Sequence, residues 1–317
     1  MKTLFTIIFT TAITSFVFAQ SPDKTLARVR YTFSHIQDTT EKDKPYTENM
    51  LLAIGKNASV YTSYDKITQD NELKRKLTEQ MKEQAGSGNV SIRIDKTGNK
   101  ATSQLEYFFF AKENKFVTKE RVFNNYLIEE TAPTINWKLA KDTASFSGVK
   151  CQKATAYFKG RNWIAWYAPE LPFQSGPWKL NGLPGLIIEA YDEKKDVVFT
   201  FAGIDNVADT PKPVEEELKI PNMGSGTTVV KVGGIDTGSS GLADEIKLPA
   251  DAIKTTRKEI DKLKEAREKD PQGFMQAQMA ASGMNIKLAQ GTSFRPTGTS
   301  TIKKIEINNP IELPVTK

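Results

Sequence analysis

Apolar and polar positions alternate with a period of two over much of the first two-thirds of the chain, the spacing of half-buried β-strands. In "LARVRYTFSH", Ala27, Val29, Tyr31, Phe33 and His35 fall on one face, and Arg28, Arg30, Thr32 and Ser34 on the other. His35 ends the apolar face and reads as a hydrogen-bonded structural histidine. "NASVYTSYD", "NVSIRID", "ATSQLEYFFF", "NKFVTKERVF" and "INWKLA" predict further strands, and the polar turns "KTGN" and "KEN" are short enough for hairpins. "VKCQKATAYF" and "NWIAWYA" flank "KGR", and "LIIEAYD" and "VVFTFAGI" flank "EKK", as two more pairs. Connections this short imply antiparallel pairing, because parallel neighbours need long crossovers.

Helical spacing is rarer. "DNELKRKLTEQMKEQ" sets Leu73, Leu77 and Met81 four residues apart and stops at "GSG", predicting a helix around 70–84. The mixed-charge run "DAIKTTRKEIDKLKEAREKD" has one narrow apolar stripe, Ile253, Ile260 and Leu263. Asp270 and Pro271 then supply an N-cap and a first-turn proline for "QGFMQAQMAASG", whose Phe274, Met275 and Met279 are expected to bury against the sheet or line a groove. "PNMGSGTTVVKVGGIDTGSSG" reads as an inserted loop or lid, and Ile302, Ile305 and Ile307 predict a closing strand. The expected fold is mainly β, of α+β type: a strongly curved antiparallel sheet or open half-barrel, with helices on its concave face or capping it. One domain over residues 20–317 carries a Gly/Ser-rich insertion at 222–248 and a helical insertion at 250–285.

The first residues change the picture of where the protein works. Met1-Lys2-Thr3, an apolar run from Leu4 to Phe18 and small residues up to Ala19 have the form of a secretory signal peptide, with Gln20 as the new N-terminus. No cysteine follows the cut, which speaks against a lipid anchor, and no later run approaches the ~20 apolar residues that span a bilayer. The expected setting is the periplasm or the periplasmic face of an outer membrane. The chain has 44 basic and 38 acidic residues, spread without a basic block, so nucleic acid is not an expected partner. A single cysteine, Cys151, allows no internal disulfide, and with the single histidine, His35, it excludes zinc sites built from Cys and His.

Several motifs raise chemistry and then fail to support it. Asp236-Thr237-Gly238-Ser239-Ser240 spells the catalytic loop of pepsin-like proteases, which need two carboxylates sharing a proton. No second loop of that kind occurs. A Ser-His-Asp hydrolase would have to use His35, and there is no G-x-S-x-G elbow. A glycosidase needs only two carboxylates, and no pair stands out. "NGLPGLIIEAYD" is glycine-rich like a phosphate cradle, yet it leads into a strand rather than a helix. Pro184 and Gly185 suit the central positions of a type II turn, with Gly182 allowing close packing before it. No cofactor is implied. An exported hydrolase, aspartic at Asp236 or built on a carboxylate pair, stays as the competing class.

"GVKCQKATAYFKGRNWIAWYAPELPFQSGPWKLNGLPGLI" also carries a resemblance. Gly148, Cys151 and Ala154, then Gly160-Arg161, Trp163 with Trp166, Leu171-Pro172, Gly176-Pro177-Trp178 and the turn Gly182 to Ile187 together resemble the hallmark block of the GLPGLI family of exported Bacteroidetes proteins. "NNPIEL", Asn308 to Leu313, is similar to that family's closing strand. The resemblance implies no agreed catalytic residues. It implies an envelope protein, often beside TonB-dependent outer-membrane receptors, and by analogy the curved sheet of periplasmic lipoprotein carriers such as LolA. The expected function is a non-enzymatic binding, carrier or accessory protein for a lipid or hydrophobic peptide, or an interaction scaffold on a receptor. Arg161, Trp163, Trp166, Trp178 and the turn Gly182-Leu183-Pro184-Gly185 are the candidate binding residues, with a core role for the tryptophans and a structural one for Arg161 as the competing reading.

Overall fold

The computed structural model describes residues 22–83, 100–207, 219–220, 228–229, 241–281 and 307–314. The signal-peptide segment, "NVSIRID", Asp236 with most of the Gly/Ser-rich insertion, Ile302, Ile305 and the side chains of Leu77, Met81 and Met279 lie outside the described residues.

After a two-residue strand, β1 (Asp23–Lys24), a first meander runs through β2 (Ala27–His35), β3 (Tyr46–Ile54), β4 (Ala58–Ser63), helix α1 (Tyr64–Glu83), β5 (Leu105–Phe110), β6 (Lys115–Arg121) and β7 (Asn125–Thr131). A second runs through β8 (Lys138–Phe146), β9 (Val149–Phe158), β10 (Arg161–Ala168), β11 (Leu186–Asp192) and β12 (Val197–Asn206). Then come the small pair β13 (Lys219–Ile220) and β14 (Thr228–Val229), β15 (Glu245–Ile246), which pairs with β1, β16 (Ile253–Thr255), α2 (Arg257–Lys269) and α3 (Pro271–Ala281).

The two meanders and β16 form one open 12-stranded sheet, ordered β16-β7-β6-β5-β4-β3-β2-β12-β11-β10-β9-β8. The fold is mainly β, and the sheet is not closed into a barrel. The alternating strand β2 is the seam: it pairs antiparallel with β3 on one side and with β12 on the other. Among the described residues only β16 lies parallel to its neighbour, β7, where sequence spacing predicts none.

The front face of the sheet carries the main core, in which Tyr31, Leu52, Tyr61, Trp163, Ala165, Ala190 and Phe199 meet across both meanders. Behind the first meander a second core joins Ala53, Val60, Phe108, Phe110, Val117 and Leu127 to Ile246. The 241–252 segment lies over this back face. Buried Arg28 holds it there, donating to the carbonyls of Gly241 (3.1 Å), Leu242 (2.7 Å) and Ala243 (3.1 Å). Gly241 packs against Leu51, Thr62 and Ile67, which puts α1 on the same back side, away from the main core.

Helix boundaries follow their caps. The Ser63 hydroxyl accepts from the Lys66 amide at 2.9 Å, so α1 starts at Tyr64, earlier than its apolar spacing suggests. Thr256 and Glu259 form a capping box that starts α2 at Arg257, leaving Ile253 exposed in β16. Ile260 and Leu263 do form the stripe, packed on Tyr126 and Ile128 of β7. The Asp270 carboxylate accepts from Gly273 N–H at 2.9 Å as the expected cap of α3, but Met275 is exposed. "NNPIEL" forms no strand; it is an irregular strap.

Candidate functional site

Strand β10 opens on a tight turn in which Lys159 (φ 51°) and Gly160 (φ 76°) both take left-handed backbone. That turn aims Arg161 inward, and it is 4% exposed. Its partner is Asp192, 3% exposed at the end of β11, with Nη1 2.7 Å from Oδ2. The other Asp192 oxygen accepts from Val197 N–H at 2.8 Å. A buried ion pair holds only when its remaining donors and acceptors are met. Here the strap meets them: Arg161 Nε donates to Ile311 O (2.9 Å), and Nη2 to Pro310 O (2.7 Å) and Asn309 Oδ1 (2.7 Å).

His35 completes the cluster as a buried structural histidine, its Nε2 2.7 Å from Asn309 O, a contact that makes this nitrogen the donor. Burial lowers its pKa; the Asn309 bond opposes this, Arg161 adds to the lowering, and Asp192 and Asp196 oppose it. The Asn309 amide donates to Ile36 O at 2.7 Å and to Asp196 Oδ2 at 3.3 Å. Glu312 sits between Lys159 (3.2 Å) and Lys179 (2.6 Å). These cations hold its carboxyl below the usual range although burial pushes the other way.

The segment from Leu171 to Gly185 fills the front face above this cluster. Trp178, Leu180 and Leu183 are buried in the main core, with Leu171 and Phe173 packed on it. Trp178 lies 5.6 Å from Trp163 and 5.9 Å from Phe158, and it takes left-handed backbone at φ 56°. For a bulky residue that conformation costs about 1–2 kcal/mol, which the packing offsets. The glycines on either side of Pro184 have roles opposite to those their sequence suggests. Gly182 carries the positive φ (86°) and faces open space. Gly185 has no positive φ, so a type II turn is ruled out there, and any Cβ on it would strike the Ala168 carbonyl. The space left between segment and sheet is about 10 Å³, lined by Tyr61, Tyr107, Phe116, Ser175 and Trp178 among others. That holds about one water, next to a Tyr61 hydroxyl with no hydrogen-bond partner among the described residues.

The residues predicted to bind thus do not share one surface. Trp163 is 1% exposed, with its Nε1 donating to Phe158 O at 3.0 Å. Trp178, Leu183 and Gly185 are buried with it, and only Pro184 and Gly182 of the turn are exposed. Trp166 lies on the back of the second meander, half-buried beside Phe146 (5.5 Å) and Tyr191, with Lys153 Nζ 6.0 Å from its ring. Cys151 is buried nearby, and burial, with Glu189 adding, pushes its thiol up to about 11, the opposite of an activated cysteine. Sequence spacing carries no signal for the partners of Arg161: Asp192 has none locally, and Asn309 stands out only as part of a terminal motif.

Among the described residues no group of three or more His, Cys, Asp or Glu side chains could hold a metal ion, and no helix is long and apolar enough to cross a membrane. Residues 157–189 match the model of a family described as "Protein of unknown function (Porph_ging)", a span that includes Arg161, all three candidate tryptophans and the Gly182–Gly185 turn. No curated protein matches the chain. Two crystal forms of PNGF-II, in space groups P21 and C2, are similar at 10% identity and a TM-score of 0.42. The similarity covers 59% of this chain and 29% of that one, so the chain spans less than a third of PNGF-II, and a likeness this slight carries no argument about function.

Proposed function

We propose that the chain is an exported, non-catalytic binding protein of the GLPGLI type that works through its outer surface, as a scaffold or accessory on an outer-membrane receptor. The observation that carries this reading is the filled front face. A pocket for a lipid or a drug-sized ligand takes roughly 300–1,000 Å³, against about 10 Å³ under the Leu171–Gly185 segment. Enclosing an acyl chain beneath this segment would require expelling Trp178, Leu180 and Leu183, each worth about 1.5–3 kcal/mol of burial. The motif block is instead spent on packing its own chain. The back of the second meander offers the contact surface: Trp166, Ile164 and Tyr191 are half-exposed there and Tyr157 is 57% exposed, while Lys153 and Lys195 (5.5 Å from the Tyr191 ring) add positive charge.

The test is native mass spectrometry of the chain drawn from its own envelope in mild detergent. We expect a protein partner in fixed ratio, lost in a Tyr157→Ser, Trp166→Ser variant that melts close to the parent. A reproducible lipid adduct, or a partner retained by that variant, overturns the reading.

A further inference from the structure

The strap from Asn308 to Leu313 is bound the way a peptide ligand is bound. It adds no strand to the sheet, yet each of its residues makes a contact with the body, several of them shared at Arg161 and Lys159. The Asn308 side chain accepts from Thr39 N–H at 2.9 Å and donates to Asp38 Oδ1 at 2.9 Å. Asn309 is read at both ends of its side-chain amide, at its carbonyl by His35, and at its N–H by the Gln37 carbonyl (3.0 Å). Pro310 brings no N–H to satisfy, and its carbonyl takes Arg161. Ile311, partly buried, packs against the main core, Glu312 takes the two lysines, and Leu313 donates its N–H to Lys159 O at 3.0 Å. Leu313 also rests on Gly160 so closely that a Cβ there would come within 2.6 Å of its own Cβ.

The body supplies the anchor of the receptor. Asp192 holds Nη1 of the Arg161 guanidinium and is itself fixed by Val197 N–H, while Nε and Nη2 are left to read the strap. The reading is by side chains at set positions as well as by backbone, which makes it sequence-specific rather than general β-pairing.

We propose that this groove is a peptide-recognition site for extended segments of the pattern Asn-Asn-Pro-apolar-acidic-apolar, filled in cis by the chain's own strap. It is separate from the back-face surface, and neither reading depends on the other. A free peptide of that sequence competes with the strap for Arg161.

The test uses the full chain with a specific protease site placed within residues 286–300, folded and then cut. The expected result is that the released C-terminal piece stays on the body through gel filtration and exchanges with an excess of synthetic peptide spanning residues 305–314. The same peptide with Asn309→Ala, which leaves the body untouched, should compete at least about tenfold less well, the worth of one charge-assisted hydrogen bond. Three results would overturn the proposal. The piece is lost on cutting while the body melts unchanged; the body unfolds whenever the piece leaves; or the altered peptide competes as well as the natural one.

Discussion

The two meanders share a front and differ in their backs. Behind the first, Ala53, Val60, Phe108 and Phe110 are sealed under the 241–252 segment, and α1 lies on the same side. Behind the second, Ile164, Trp166, Tyr191 and Val198 stay half-exposed. One half of the sheet is thus a three-layer structure and the other a two-layer one, which must draw its stability from its front. This is where the Leu171–Gly185 segment and the strap are found. A sheet face without a second layer is either a cost or a surface in use, and the family-matched residues 157–189 straddle it.

The sharpest way to break the comparison is to truncate each back in turn. Phe108→Ala should cost about 3–5 kcal/mol, a fall on the order of 10 °C in melting temperature, and Trp166→Ala less than about 1 kcal/mol. Equal losses in thermal melts would mean that the second back is a core as well. Next, Arg161→Met leaves the Asp192 carboxylate buried without its cation and should cost about 3–5 kcal/mol. Adding Asp192→Asn should recover part of that loss, and a strictly additive double mutant in chemical denaturation would remove the ion pair from the account. Gly185→Ala, which drives a methyl into the Ala168 carbonyl, should cost about 2–3 kcal/mol, and Gly182→Ala, which meets only backbone strain, about 1 kcal/mol. The reverse order would place the tight contact on the wrong side of Pro184.

The smallest effect lies at the seam. His35 resists protonation in the folded chain, so its contribution is complete above about pH 6.5 and is lost as the pH falls below that value, where only the unfolded chain takes the proton readily. Melting temperatures between pH 7 and 5.5 should fall more steeply in the parent than in His35→Gln. Parallel slopes would assign the acid sensitivity to carboxylates instead.

Strands with one wet face, such as β2, or with a short turn on at least one side, such as β9 to β12, were legible because alternation and turn length are local signals. β3 was not: Met50 to Ile54 are buried on both faces, so the period of two disappears just where the strand is most central. β7 was missed as well, and β16 was hidden inside a run of charges that reads as helix. At the candidate site, the Gly160-Arg161 pair and "NNPIEL" could both be singled out. Their meeting could not, because Arg161 and Asn309 are joined by three-dimensional packing that leaves no trace in spacing. Trp163 and Trp166 are three residues apart in one regular stretch of strand, so they face opposite sides of the sheet, and only tertiary packing decides which side meets water.

The seam between β2 and β12 has a further consequence, for the order in which the protein is made. Residues 36–196 separate the two strands, so during synthesis β2 has β3 beside it long before β12 exists. For that interval its outer edge is an open template for any passing strand. Arg28 and Arg30 both project from this strand, where charge discourages mispairing. Only later do they take up their final partners, the Gly241–Ala243 carbonyls and Asp205. The two arginines thus serve twice, first as guards of an unfinished edge and then as fasteners of the finished fold.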